Sequence, residues 1–96
     1  MAPRERGGGE GILYIELGGQ RYALDGVLTQ GGLALLFADT PVEDVDALAC
    51  ALPDVLRIYA AGSGALLYEF QGFTQAVELR KNPASRQVLL RLRRDG

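Results

Sequence analysis

Apolar and polar residues alternate through most of the chain, and glycine pairs punctuate the alternation. "ILYIEL" and "QRYAL" lie either side of Gly18-Gly19, which predicts a β-hairpin closed by a two-residue turn with positive φ angles. That turn sets Leu17 opposite Gln20, Glu16 opposite Arg21, Ile15 opposite Tyr22 and Leu13 opposite Leu24. The apolar positions then share one face, and a Glu-Arg pair lies on the other. Gly31-Gly32 repeats the device and predicts Leu28 opposite Leu35 and Val27 opposite Leu36. Because "LALLF" is apolar on both faces, this second hairpin is expected at the centre of a sheet. Asp25-Gly26, between the two hairpins, predicts a bend or bulge.

The period changes once. In "DTPVEDVDALACALPD" the residues Val42, Val45, Leu48, Ala49 and Leu52 form one helical stripe, which Pro53 ends. Thr40 is the expected N-cap, Pro41 the first helical residue, and Glu43 the reciprocal half of a capping box. Alternation then resumes. "VLRIYAAGSGALLYEF" predicts a third hairpin around a three-residue loop, Gly62-Ser63-Gly64, with Arg57 opposite Glu69, Ile58 opposite Tyr68 and Leu56 opposite Phe70. Gly72 breaks the strand. A last hairpin pairs Thr74 to Lys81 with Gln87 to Arg93 through the loop Pro83 to Arg86, setting Glu78 opposite Arg91 and Leu79 opposite Leu90.

These elements predict an α+β domain of about seven mostly antiparallel strands in hairpins, with one helix inserted after the third strand. Two architectures fit: a sheet with the helix on one face, or a small, partly open barrel. Residues 1 to 10, rich in charge and glycine, read as a flexible arm, and residues 11 to 96 as one domain. A chain of 96 residues with 48% hydrophobic content can build one modest core.

A net charge of -2 opposes bulk attraction to nucleic acid, but the charges are unevenly spread. Residues 39 to 54 carry five acids (Asp39, Glu43, Asp44, Asp46, Asp54) and no base, while residues 78 to 96 carry six bases and two acids. The acidic run suits the positive end of a helix dipole. It also suggests a head-to-tail contact between copies, acidic helix against basic hairpin. With one helix to cover a two-sided apolar sheet, and strand edges left to pair, self-association is expected.

Candidate chemistry is sparse. The chain has no histidine, which removes the commonest general base and metal ligand. Its one cysteine forms no internal disulfide, fits a reducing cytoplasm and cannot by itself supply a structural zinc site. Cys50 sits on the polar side of the helix among acidic neighbours, whereas a nucleophilic thiol needs a base or cation beside it. The acid pairs Asp44 with Asp46 and Asp39 with Glu43 are explained by the helix start. "GGGEG" precedes a strand and lacks the lysine and hydroxyl of a phosphate-binding loop. No catalytic, metal or cofactor site is expected. The one basic constellation is "LLRLRR", where Arg91, Arg93 and Arg94 could meet a partner. With exposed aromatics nearby, such a strand could bind single-stranded nucleic acid. No stretch approaches the ~20 apolar residues that cross a bilayer, so no membrane partner is expected.

The segment "LRIYAAGSGALLYEFQGFTQAVEL", residues 56 to 79, resembles the C-terminal half of short proteins encoded in bacterial prophages, through Tyr68, Phe70, Gly72, Phe73 and Thr74. The resemblance implies a phage particle or tail accessory role without catalytic residues. The expected function is therefore a non-enzymatic structural or protein-interaction module, cytoplasmic or assembled into a phage particle, that binds itself or another protein. The alternative is a small nucleic-acid-binding module using the basic C-terminal strand.

Overall fold

The structure, a computed structural model, describes residues 12 to 94. The arm expected over residues 1 to 10 lies outside them. The chain forms β1 (Leu13–Leu17), β2 (Gln20–Leu28), β3 (Leu33–Ala38), α1 (Val42–Ala49), β4 (Val55–Ala60), β5 (Leu66–Gln71), β6 (Gln75–Lys81) and β7 (Gln87–Arg93). All seven strands belong to one antiparallel sheet of order β5-β4-β1-β2-β3-β7-β6. The sheet is open, with β5 and β6 as its edges. Of the two architectures the sequence allows, it is the sheet with a helix, and β-structure dominates.

Three hairpins have the predicted registers. Glu16 stands opposite Arg21, Arg57 opposite Glu69 and Glu78 opposite Arg91. Gly18 and Gly19 have φ of 59° and 82°, the mirror-image turn that matches strand twist and that side chains with a Cβ resist.

The second hairpin departs from its expected register by one residue. Leu28 faces Ala34 and Val27 faces Leu35, because the loop is three residues long, Gln30 to Gly32. Gly32, at φ 119°, passes so close to β7 that a Cβ there would lie 2.9 Å from the Leu92 carbonyl oxygen. The shift exchanges faces: Val27 packs on the core and Leu28 is exposed. Asp25 is the extra residue of the expected bulge, so Leu24 and Val27 reach the same face despite their odd spacing.

The third hairpin carries a bulge at Leu67 instead of the expected three-residue loop. Ala60 and Ala65 close a four-residue connection, with the Ala60 amide donating to the Ala65 carbonyl at 2.9 Å and the Gly64 amide to the Ala60 carbonyl at 2.8 Å.

The helix starts one residue later than expected and without a side-chain cap. Pro41 has ψ 143°, outside the helical region, and itself occupies the cap position. Thr40 Oγ1 turns back to donate to the Ala38 carbonyl at 3.0 Å, so neither it nor Glu43 forms a capping box. The cause is Asp39, whose φ of 52° turns the chain sharply while its amide donates to the Arg86 carbonyl. The apolar stripe is as expected, with Val45 fully buried and Val42, Leu48, Ala49 and Leu52 packed against the core.

The core comprises Leu13, Ile15 and Leu17 of β1, Leu24 of β2, Leu33, Leu35 and Phe37 of β3, Leu56 and Ile58 of β4, and Val88, Leu90 and Leu92 of β7, with Val45. An eight-residue helix is about 12 Å long, whereas seven flat strands span roughly 29 Å. The helix alone cannot cover that face, so the sheet must roll until its own strands cover one another. Arg94 shows that it does. Its Nε donates to the Gln71 carbonyl of β5 at 3.2 Å, although β7 and β5 are five strand spacings apart, about 24 Å in a flat sheet. On the outer face, Ala34 and Ala38 are buried and Leu36 lies against Gly26, so the two-sided apolarity of β3 is satisfied within the chain.

Candidate functional site

The three arginines do not converge. Arg91 stands on the outer face of β7, and its Nε donates to Glu78 Oε1 at 3.2 Å. Glu78 also accepts from Arg80, and the hydrogen bond from Arg91 with the charge of Arg80 holds its carboxyl below the usual carboxylate range. Arg93 donates to Gln75 Oε1 at 2.9 Å. Arg94 turns the other way, placing its guanidinium 4.8 Å from the centre of the Phe73 ring. Each is therefore engaged within the chain, and Arg94 links the ends of β7 and β5.

The aromatic residues fall into separate groups. Tyr14 and Tyr59 stack on the outer face at 5.1 Å, with the Arg21 guanidinium 4.7 Å from the Tyr14 ring. Three strands separate Tyr59 from β7. The second group runs along the rim: Tyr68 stacks on Phe70 at 5.8 Å, and Phe70 meets Phe73 edge-on at 5.9 Å. Tyr59 and Phe73, the aromatics that a nucleic-acid interface would recruit, are both half-buried.

The acids at the helix start line a shallow cleft with Lys81 and Arg86. Asp39 pairs with Arg86 at 3.6 Å, and α1 packs against β6 and β7. Asp39, just ahead of the helix, thus pairs with the basic last hairpin within one chain. Cys50 is exposed at the helix end. Among the described residues no cluster of three or more His, Cys, Asp or Glu is placed to hold a metal ion.

What stands out is β5. It is an edge strand in which Leu66, Leu67 and Tyr68 are about half exposed. Its one charge, Glu69, accepts from Arg57 Nε of β4 at 2.8 Å and is neutralised. Edge strands are ordinarily blocked by unpaired charge, proline, a bulge or cover; β5 has the bulge at Leu67 and its Gln71 carbonyl is taken by Arg94, but among the described residues it has no unpaired charge, no proline and no strand on its outer side. Alternation in "LLYEF" predicts the partner of β4 and by itself cannot reveal that, among the described residues, no strand pairs with its other side. Among the described residues, no helix is long and apolar enough to cross a membrane. The chain matches no known protein family, no characterised protein and no solved structure.

Proposed function

We propose that this protein is a non-enzymatic interaction module that joins protein partners by strand addition at its open edge. The observation that supports this reading is β5, an apolar edge with its single charge neutralised and, among the described residues, one side without a neighbouring strand. Strand addition supplies affinity through main-chain hydrogen bonds, and flanking side chains supply specificity. The resemblance to prophage-encoded proteins is consistent with such a role in a particle or tail. Nucleic-acid binding through Arg91, Arg93 and Arg94 has less support, because Glu78, Gln75 and Phe73 already engage them.

Light scattering at micromolar protein in low and high salt tests the reading. The expected mass exceeds the 10.3 kDa of one chain and is insensitive to salt, since backbone pairing and apolar burial are not screened as exposed charges are. A 10.3 kDa species under both conditions overturns it.

A further inference from the structure

Hydrogen bonds at both ends of the β4–β5 ladder fix which groups of β5 face outward. The Ala60 amide donates to the Ala65 carbonyl, and the Gly72 amide to the Asp54 carbonyl. Antiparallel alternation from these bonds turns Leu66, Glu69 and Gln71 outward and keeps Tyr68 and Phe70 bonded to β4, with Leu67 inside the bulge. The bulge breaks the spacing between Leu66 and Glu69, and Gly72, at φ 81°, ends the strand. Glu69 and Gln71 are therefore the outward residues of β5 at the two-residue spacing that a regular ladder uses.

Arg94 holds one end of that pair. Its Nε donates to the Gln71 carbonyl at 3.2 Å, and its guanidinium lies 4.8 Å from the centre of the Phe73 ring. A strand joining this edge needs the Gln71 carbonyl, which no incoming amide can use while Arg94 is seated. The hold is exchangeable, because Arg94 is exposed to solvent and a cation over an accessible ring gains little over water. Once displaced, the guanidinium presents its fork of donors beside the new strand, and a carboxylate is the acceptor that matches the fork.

We propose that β5 receives an extended peptide with an acidic side chain opposite Gln71, and that Arg94 is the gate that selects it. The proposal rests on the strand-addition reading above and deepens it by naming the chemistry of the partner. Arg94 leaves the Gln71 carbonyl, an amide of the peptide takes its place, and the peptide carboxylate accepts from the freed guanidinium. A basic side chain in that position would face Arg94 and leave it without an acceptor. An acid opposite Glu69 would gain nothing, because Glu69 is anionic and already accepts from Arg57, and like charges directly opposite are destabilising. The surrounding charge agrees: β7 ends in Arg93 beside Arg94, and residues 78 to 96 carry six bases and two acids.

The test is heteronuclear NMR on the full chain, kept below the concentration at which light scattering detects association. The probes are a short valine-threonine peptide carrying one glutamate and the same peptide carrying lysine in its place. The glutamate peptide should move the amide signals of Glu69 and Gln71 and bind about fivefold more tightly than the lysine peptide, the discrimination that one exposed ion pair supports. Arg94→Ala and Arg94→Gln should bind both peptides equally. Arg93→Ala, which removes a cation that donates to Gln75, should keep the preference, with circular dichroism confirming the fold of each variant. Equal affinity for both peptides in the parent, a preference that survives Arg94→Ala, or one that disappears with Arg93→Ala overturns the gate and leaves the strand-addition reading standing. If neither peptide moves the Glu69 and Gln71 amides in the parent or in Arg94→Ala, both fall.

Discussion

Three ion pairs, Glu16–Arg21 at 3.0 Å, Arg57–Glu69 at 2.8 Å and Glu78–Arg91 at 3.2 Å, mark three hairpin registers on the outer face of the sheet. Each is solvent-accessible, so water screens it and its contribution to stability is small. Their value is in specifying register, because a one-residue slip would separate every pair. Glu78 differs from the others in sitting between two arginines. Its folded carboxyl titrates below the ordinary value of 4.5, so the stability it adds is complete above that value and is lost as pH falls through the folded pKa. Glu78→Gln should therefore melt lower than the parent at neutral pH, and the gap should close as the solution is acidified below about pH 4.5. A gap that stays constant down to pH 2 would show that the carboxylate charge plays no part. The pairing of Glu78 with Arg91 was legible from spacing alone. The second arginine was not, because Arg80 lies on the same strand and reaches Glu78 by side-chain conformation.

At the scale of elements, the hairpins owe their existence to alternation and glycine, and their details to the neighbouring strand. Gly31-Gly32 looks like Gly18-Gly19 in sequence, yet one closes a three-residue loop and the other a two-residue turn. The difference lies in β7: Gly32 must pass the Leu92 carbonyl, a contact between residues sixty positions apart. The register that results is testable by a pair of variants. Val27→Lys would place an ammonium against the core and should cost more than about 2 kcal/mol, whereas Leu28→Lys on the exposed face should change stability by no more than about 0.5 kcal/mol. Chemical denaturation of the two proteins measures both. The opposite order would restore the register expected from the two-residue turn. The helix behaves likewise: its apolar stripe was readable from the period, but its start was displaced by the positive φ of Asp39, which is bonded to the distant Arg86 backbone.

Over the whole molecule, one side chain reports how the sheet is rolled. Arg94 leaves the end of β7, crosses to the Gln71 carbonyl and covers the Phe73 ring. It thereby joins elements near opposite edges and occupies an acceptor that would otherwise be open on β5. Arg94→Ala should speed hydrogen exchange around Gly72 and Phe73 while leaving β2 and β3 protected, and should lower the melting temperature by at most a few degrees. An equal loss of protection throughout the sheet would mean that Arg94 supports the entire fold. By sequence Arg94 groups with Arg91 and Arg93 in one basic run. Nothing in a local pattern distinguishes an arginine that awaits a partner from one that reaches across the fold.

The sequence by itself determined seven strands, one helix after the third, which strands pair as hairpins and the apolar stripe of the helix, but not the register of the second hairpin or the face that Val27 and Leu28 take. The features it determined follow from interactions between residues near in the chain: side-chain period, turn conformation and cross-strand charge. Tertiary structure alone decided the order of the hairpins in the sheet, its rolling, the exposure of β5 and the engagement of the arginines. Those outcomes depend on which apolar faces meet, and hydrophobic burial is non-directional, so the same alternating strands are compatible with several orders until the core is assembled.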